Sequence, residues 1–410
     1  MHRIGGATLN LLDNLTFKQF VGEAKMSKCT KQTFGPQKII VIASLGYSLV
    51  NFRLELLKRM IANGHEVLAI APEIEPNTKK VLEQFNIKTA SFPMDRTGTS
   101  PFQDIKTVLA LRKIFCAFKP DYILPYTAKP IMYANLAGRM AKIPHRFALF
   151  TGLGYSFSEE NSTYKRKLTK QISVFLYRLS SKGMEGAFSY NPIETQDIRN
   201  FGLIPASTPI TQVPGSGVDT SLFPNTVPKT NPVRFLMVAR LLKSKGTHIF
   251  VEAAQRLKAR GLKFEAALLG PVDINPDAIS KKQLDDWVQG EAVGYLGSTK
   301  HVPPHLANCT VMVLPSMYRE GIPRTVLEAM SSGRAVITTD VPGCAHSIAD
   351  QKDGFIVKAG DVRTLENAMA KFIENPKLAV KMGASGREHA CHIFDVHKVN
   401  KLLLTTMGLE

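Results

Sequence analysis

The sequence lacks several features that would assign it to a membrane or disulfide-rich class. No apolar run approaches the roughly 18 residues that a transmembrane helix needs, and the longest candidate, residues 39–50, is interrupted by Gly46. The five cysteines are scattered, odd in number and without a CxxC pair, so neither a disulfide framework nor a zinc ribbon is predicted. Residues 1–37 show no apolar core followed by a small-residue cleavage site, so a signal peptide is not predicted.

Acidic residues are also scarce. The chain has 34 Asp and Glu against 52 Lys and Arg, a formal net charge of +18. This excess favours acidic partners, which include nucleic acid, anionic lipid and phosphorylated small molecules. Nucleic acid is not predicted as a partner, because the sequence contains neither a recognised binding motif nor a basic groove with interleaved aromatic residues.

Length and patterning predict two α/β domains. At roughly 150 residues per domain, 410 residues suggest two or three, and a mean hydropathy near zero is typical of a folded soluble protein. From Lys38 onward short β-rich runs alternate with helical patterns, which predicts βαβ units and parallel sheets covered on both faces. Buried strands are predicted at residues 38–44, 65–72, 121–127 and 146–152, and again at 233–240, 264–270, 292–298, 310–316 and 335–340.

A stretch rich in Pro, Thr, Ser and Gly, residues 201–232, separates the two series of strands and is predicted to be a linker with a hinge near 205–232. We therefore expect a disordered N-terminal extension, two Rossmann-like domains facing a cleft, and a terminal helix that crosses back to the first domain. The boundaries of these four parts are 1–37, 38–214, 215–391 and 392–410.

Two short motifs in the second domain indicate an anion site. Arg240 and Lys245 share one loop after a predicted strand, where two cations can flank a diphosphate; a solvated surface loop is the alternative. In EGIPRTVLE (320–328), Pro323 fits the first turn of a helix, and the amide N–H groups near Ile322 to Thr325 would form an anion site backed by the helix dipole.

The two glutamates of this second motif allow more than one interpretation. Glu320 stands ahead of the helix, too early to cap it well. Glu328 lies about one and a half turns inside and could accept hydrogen bonds from the vicinal hydroxyls of a ribose. An ion pair between Arg324 and Glu328 at i,i+4 is the alternative.

Three motifs in series, GSGVD (215–219), RLLKSKG (240–246) and EGIPRTVLE, resemble those of retaining glycosyltransferases of family 4, which have the two-domain GT-B fold. The order and spacing match from about residue 38 onward. The resemblance implies that Arg240 and Lys245 neutralise donor phosphates, that Glu320 contacts the donor sugar and that Glu328 binds the ribose. The remaining donor-binding residues that it implies are Gly46, Gly217, Val218, Asp219, Gly321, Ile322, Pro323, Arg324 and Thr325.

Several residues of the first domain are expected to bind the acceptor. Many members of the family carry a His after the strand that corresponds to 146–150, where this chain has Thr151 to Gly154. The run TGLGYSF (151–157), with TAKP (127–130) one strand earlier, resembles instead the subgroup that acts on polyprenyl-diphosphate-linked sugars. The acceptor-binding residues expected on this basis are Tyr47, Ser48, Lys129, Thr151, Gly152 and Tyr155.

Residues 164–183 combine one apolar helical face with a high positive charge, a pattern that suits an anionic membrane surface, although an ordinary packed helix is the alternative. We expect a cytoplasmic enzyme, peripheral on the inner face of the cell membrane. No DxD pair follows a strand and the histidines form no ligand set, so metal-independent transfer without a cofactor is expected, with a UDP-sugar as donor. Nucleotide-sugar epimerisation and a non-catalytic membrane scaffold remain alternatives.

Overall fold

The computed structural model describes residues 35–410 except 96–99, 154–156, 158–163 and 274, and the side chains of 164–166. Residues 1–34 of the predicted extension 1–37 lie outside the described residues. The described chain forms two compact units. One consists of the described residues up to Ser216 together with Val396–Glu410, and the other is Gly217–Asp395.

The first unit is built on a seven-stranded, all-parallel sheet with the order β3-β2-β1-β4-β5-β6-β7. Its strands are β1 (Lys38–Ile42), β2 (Glu66–Ala71), β3 (Lys88–Ser91), β4 (Tyr122–Pro125), β5 (His145–Leu149), β6 (Gly186–Ser189) and β7 (Ile210–Gln212). Its helices are α1 (Gly46–Ala62), α2 (Pro76–Glu83), α3 (Pro101–Phe118), α4 (Ala128–Met140), α5 (Tyr164–Ser180) and α6 (Pro192–Asn200).

Strand order decides which face each helix covers. The chain moves in one direction across the sheet from β1 to β3, and in the other from β3 through β4 and β5 to β6. Because such crossovers are right-handed, α1 and α2 cover one face and α3, α4 and α5 cover the other. Helix α4 lies between α3 and α5, contacts both, and is buried along most of its length.

The second unit contains a six-stranded, all-parallel sheet with the order β10-β9-β8-β11-β12-β13. Its strands are β8 (Arg234–Val238), β9 (Glu265–Leu269), β10 (Gly294–Tyr295), β11 (Val311–Leu314), β12 (Ala335–Thr339) and β13 (Gly354–Val357). Its helices are α7 (Thr247–Ala259), α8 (Lys281–Gln289), α9 (Pro303–Asn308), α10 (Arg324–Ser331), α11 (Val362–Glu374) and α12 (Lys377–Ile393). Apolar residues of strands β8, β9, β11 and β12 and of helices α7 and α11 form its main core.

The last helix, α13 (Val396–Met407), belongs to the first unit and packs against α1. Arg59 of α1 donates a hydrogen bond to the carbonyl of His397 at 3.0 Å and is ion-paired with Glu410. The imidazole of His65, directly before β2, contacts the carbonyl of Leu409 at 3.1 Å. The chain therefore returns to the first unit after completing the second.

The predicted α/β class and the parallel sheets are confirmed, but several short strands were not predicted from the sequence. The predicted linker contains β7, because ITQ is too short to stand out among the surrounding prolines. Strands β3, β6 and β13 were also missed, and the strand predicted at 292–298 is reduced to Gly294–Tyr295. Among the described residues, no helix is long and apolar enough to cross a membrane.

Candidate active site

In the second unit, the loop after β8 is held against the end of β11. Gly246 has φ +76°, and a Cβ there would lie 1.9 Å from the carbonyl oxygen of Pro315. The amide of Met317 donates to the carbonyl of Ser244 at 2.8 Å. The segment that carries Arg240 and Lys245 is thus fixed beside the segment that carries Glu320, as expected where parallel strands end at one edge of a sheet.

The loop after β11 is held in turn by the loop after β12. The amide of Glu320 donates to the carbonyl of Pro342 at 3.0 Å. Gly343 has φ +87°, and a Cβ there would lie 2.2 Å from the carbonyl oxygen of Gly321. Only glycine permits this approach, so the position of the 320–321 backbone depends on a residue that the sequence motifs did not single out.

Lys245 and Glu320 form an ion pair at this edge. Their side chains are only 15% and 11% exposed, and Ser316 Oγ donates a second hydrogen bond to Glu320 Oε1 at 3.0 Å. Burial alone would lower the pKa of Lys245, but the adjacent Glu320 carboxylate, together with Tyr318 and Cys344, more than offsets burial, so that the pKa is raised. The structure therefore keeps a charged ammonium in a partly dehydrated place. A role of Glu320 in contacting the donor sugar predicts an exposed side chain, and this is wrong, because the side chain is paired with Lys245 and largely buried.

Tyr318 joins the same cluster. Its ring centroid lies 5.0 Å from Lys245 Nζ, within the range of a cation–π interaction. The pKa of its phenol is raised, first by Glu320 and then by burial, while Lys245 and Arg240 both act to lower it. Arg240, Lys245 and Glu320 therefore lie around one phenol, which no feature of the sequence had indicated.

Arg240 is the more accessible of the two cations. Its guanidinium donates from Nη1 to Asp273 Oδ2 at 3.0 Å, and the side chain is about half exposed. Asp273 follows β9, the neighbour of β8 in the sheet. The carboxylate fixes one end of the guanidinium and leaves a planar, multi-donor group at the strand ends, which is suited to bind an oxyanion.

Helix α10 begins at Arg324, so Pro323 lies just ahead of the first turn in which it was predicted. Pro323 is its N-cap rather than its first helical residue, and its carbonyl accepts from the amide of Val326 at 3.1 Å. The predicted alternative for Glu328 is present, since Arg324 Nε donates to Glu328 Oε1 at 2.9 Å. Burial raises the pKa of Glu328 against the lowering effect of Arg324.

The GSGVD segment spans the boundary between the two units, between Ser216 and Gly217. Gly217 has φ +71°. The amide of Val218 donates to the carbonyl of Phe394 at 2.8 Å, and the Asp219 carboxylate accepts from Ser221 Oγ at 2.6 Å. In the second unit Gly321, Ile322 and Thr325 lie at the edge that carries Lys245 and Glu320.

In the first unit, residues 44–53 (SLGYSLVNFR) resemble the Gly-containing loop of the family that approaches the donor and the acceptor. A loop is wrong beyond Leu45, because α1 begins at Gly46. A Cβ at Gly46 would lie 2.3 Å from the carbonyl oxygen of Glu73. The close approach of the Glu73 backbone is therefore sufficient to require a glycine at this position. Ser48 Oγ donates to the carbonyl of Leu45 at 2.6 Å and lies 2.7 Å from the hydroxyl of Tyr126. Tyr47 is exposed.

The other predicted acceptor residues follow β4 and β5. Lys129 donates to the carbonyl of Asp95 at 2.7 Å and is ion-paired with Asp104 at 3.6 Å. Thr151 and Gly152 follow β5 and are partly exposed. Tyr155 lies outside the described residues. The described members of this set therefore occupy the carboxyl ends of β1, β4 and β5, and their role in binding stays a prediction.

Glu194, at the start of α6, is a buried carboxylate that the sequence analysis missed. Its Oε1 accepts from the amide of Gly152 at 2.5 Å and its Oε2 accepts from the amide of Tyr190 at 2.8 Å. Gly152 has φ +109°, so this hydrogen bond fixes an unusual backbone conformation directly after β5. The sequence signal was the pair Asn191 and Glu194, which has the spacing of a helix capping box.

Glu194 should make the stability of the protein depend on pH. Burial raises its pKa from 4.5 to about 7, so between these values the folded state holds a proton that the unfolded state has released. The contribution of Glu194 to the free energy of unfolding should therefore fall by about 3 kcal/mol in total as the pH rises from 4.5 to 7. Urea unfolding of wild type and Glu194→Gln across this range should show a steeper pH dependence for wild type; equal slopes would contradict the assignment.

The models of two protein families match the chain. "Glycosyl transferases group 1" matches residues 219–389, and "Glycosyl transferase 4-like" matches residues 38–183. The first range contains the cluster around Tyr318, and the second contains the described residues expected to bind the acceptor.

Curated relatives match over most of the chain. An N,N'-diacetylbacillosaminyl-diphospho-undecaprenol alpha-1,3-N-acetylgalactosaminyltransferase of Campylobacter jejuni is 29% identical over 366 residues, covering 86% of this chain and 94% of the relative. A UDP-Gal:alpha-D-GlcNAc-diphosphoundecaprenol alpha-1,3-galactosyltransferase of Escherichia coli is 23% identical, covering 73% of this chain and 78% of the relative.

Solved structures share the fold at low sequence identity. Anabaena HepE in complex with UDP and glucose has a TM-score of 0.71 at 19% identity and covers 90% of this chain and 99% of its own. Sucrose-phosphate synthase from Thermosynechococcus elongatus has a TM-score of 0.72 at 17% identity and covers 90% and 98%. These likenesses establish the fold.

Proposed function

Because the chain belongs to the family 4 type of GT-B glycosyltransferases, we propose that it is a retaining enzyme that transfers a hexose or N-acetylhexosamine from a UDP-sugar to a polyprenyl-diphosphate-linked saccharide. It is a glycosyltransferase of bacterial polysaccharide biosynthesis. The observation that carries the finer proposal is the near full-length similarity to an enzyme named for an undecaprenol-diphosphate acceptor. The second relative is named for a UDP-linked donor and the same kind of acceptor lipid.

The cluster around Tyr318 supports the donor half of the proposal. In the reaction the bond between the anomeric carbon and the diphosphate breaks, and negative charge develops on the leaving oxygen. Lys245 and Arg240 are fixed cations that can stabilise this charge, and the first amides of α10 add their dipoles. Since Lys245 is largely buried and held by Glu320, little reorganisation is needed when the charge develops.

Glu320 and Glu328 are proposed to orient the donor. Glu320 lies beside Lys245, where a carboxylate can accept hydrogen bonds from the hydroxyls of the transferred sugar. Glu328 is held by Arg324, and its carboxylate can accept from a ribose. No protein nucleophile is assigned: the acceptor hydroxyl attacks on the face from which the diphosphate leaves, and the departing phosphate takes the hydroxyl proton.

Metal independence and location belong to the same proposal. The fixed cations supply the charge that a divalent ion would otherwise provide, so turnover should persist in EDTA. The acceptor lipid implies action at the inner face of the cell membrane, with α5 contacting the anionic surface. Exposed Lys167 and Lys182 and the absence of Asp and Glu from the sequence of α5 support this contact.

The test is UDP release from UDP-GlcNAc, UDP-GalNAc and UDP-glucose, with GDP-mannose as the unmatched donor, each with and without a polyprenyl-diphosphate-linked sugar. We expect one UDP-sugar to be consumed only when acceptor is present, with the product anomer retaining the donor configuration by NMR. Conversion of the donor alone would indicate epimerisation. A folded enzyme that consumes none of the donors would refute the proposal.

A further inference from the structure

Helix α3 presents an apolar stripe to solvent. Phe102, Ile105 and Leu109 are spaced i, i+3, i+7 and are 81%, 57% and 52% exposed, whereas Leu111 and Phe115 of the same helix are buried in the core. An ordinary surface helix has an outward face that is mainly polar, so this apolar row is unusual. Three large apolar side chains exposed in a row indicate a surface that another phase or molecule covers.

Helix α5 presents a second stripe of the same kind. Leu168, Ile172 and Phe175 are spaced i, i+4, i+7 and are 48%, 51% and 64% exposed. Tyr177 and Ser180 of the same helix are buried. The helix therefore packs on the unit through one side and leaves an apolar row on the other.

The two stripes lie on one side of the first unit. Helices α3 and α5 flank α4 on the same face of the sheet, and each stripe occupies the first half or middle of its helix. In a parallel βα array every helix starts at the edge where the preceding strand ends. Both stripes therefore lie toward the edge that carries Ser48, Thr151 and Gly152.

The charges around the stripes are positive. Exposed Lys106, Arg112 and Lys113 stand on the outward face of α3, and Lys167 and Lys182 stand on or directly after α5. The one acidic residue in the sequences of the two helices, Asp104, is ion-paired with Lys129 at 3.6 Å. A second copy of the chain on this face would bring like charges together, whereas an anionic bilayer accepts both the apolar rows and the cations.

We propose that α3 and α5 together form a two-helix membrane surface of the first unit, lying in the plane of an anionic bilayer. Phe102, Ile105 and Leu109 enter the acyl boundary beside the α5 stripe, and the lysines of both helices contact lipid phosphates. The role of this surface rests on the proposed function: it would bring the carboxyl edge of the sheet to a lipid-linked acceptor. Binding itself requires neither donor nor acceptor.

Vesicle flotation of the full-length protein tests this surface without substrate. Wild type should bind vesicles of phosphatidylcholine with 30% phosphatidylglycerol and bind pure phosphatidylcholine much more weakly. Ile105→Glu and Ile172→Glu should each lower the partition coefficient about tenfold or more. Val288→Glu, a change of the same charge at an exposed apolar position on α8, should alter it less than twofold.

A charge-reversal pair provides an independent variant. Lys106→Glu with Lys113→Glu should weaken binding to the anionic vesicles and reduce its salt dependence, whereas Lys281→Glu with Lys282→Glu on α8 should not. Circular dichroism and thermal unfolding would establish that each variant is folded. All seven substituted positions are exposed, so the fold should tolerate these changes.

Three results would overturn the inference. The first is wild type that binds neither vesicle type, and the second is Ile105→Glu that binds like wild type while Ile172→Glu does not. The third is a wild-type dimer in light scattering that Ile105→Glu dissociates, because the face would then meet a second copy. Unchanged transfer by Ile105→Glu to a short-chain, water-soluble acceptor separates this surface from catalysis. Vesicle binding without any transfer would refute the proposed function alone.

Discussion

Replacing Lys245 with alanine is expected to lower kcat for glycosyl transfer by about 10²–10³-fold. The ammonium group is held by Glu320 and lies over Tyr318 in a place of low exposure, where a fixed charge acts strongly on a developing phosphate anion. Loss of one preorganised group at a developing oxyanion typically has an effect of this size. Steady-state kinetics with the donor found in the UDP release panel would measure it.

Lys243 offers a matched control on the same loop. Its side chain is exposed. Its backbone amide donates to the carbonyl of Asp277 at 2.8 Å, and its carbonyl accepts from the amide of Gly246 at 2.8 Å, contacts that an alanine keeps. Lys243→Ala removes the same charge within a few residues of Lys245 and should change kcat less than threefold. If both alanine variants were equally slow, the loss of any positive charge on this loop would explain the lower kcat, and a specific role for Lys245 would be wrong.

Glu320→Gln is expected to lower kcat by a similar factor and to shift its pH dependence. Glutamine keeps the shape of the side chain and its contact with Ser316, but it removes the carboxylate that raises the pKa of Lys245. Without that carboxylate, burial dominates and the pKa of Lys245 falls. Since transfer needs the protonated ammonium, the alkaline limb of the kcat profile should move to lower pH.

A double variant separates a joint role from two independent ones. If Lys245 and Glu320 act as a unit, Lys245→Ala with Glu320→Gln should be about as slow as the slower single variant, because effects of such groups are strongly non-additive. A double variant whose kcat is reduced by the product of the two single reductions would contradict a shared role. An unchanged alkaline limb in Glu320→Gln would show that the ion pair does not control the charge of Lys245.

The parts of the site carried by contiguous motifs could be predicted from the sequence. RLLKSKG and EGIPRTVLE each follow a continuous apolar strand, and the ends of parallel strands meet at one edge, so the proximity of Lys245 and Glu320 follows from pattern and topology. The sequence could not show that these two residues pair with each other. That contact depends on the exact approach of two loops, which Gly246 and Gly343 permit.

Features that depend on distant partners were not predictable. Tyr318 lies in an ordinary loop sequence, and its place between three charged groups arises only from tertiary packing. Glu194 carried a helix-start signal, yet its carboxylate reaches Gly152, which lies 42 positions away in the chain. Short strands such as β7 and β13 were missed because three or four residues give too little periodicity to distinguish a strand from a loop.

The most direct test of the central claim is calorimetric binding of UDP in the presence of EDTA. The account predicts that wild type and Lys243→Ala bind UDP with a dissociation constant of about 1 μM to 1 mM, the usual range for enzyme substrates. Arg240→Ala and Lys245→Ala should bind at least tenfold more weakly. Equal affinity of all four proteins, or no binding by folded wild type, would contradict a diphosphate site at the ends of β8 and β11.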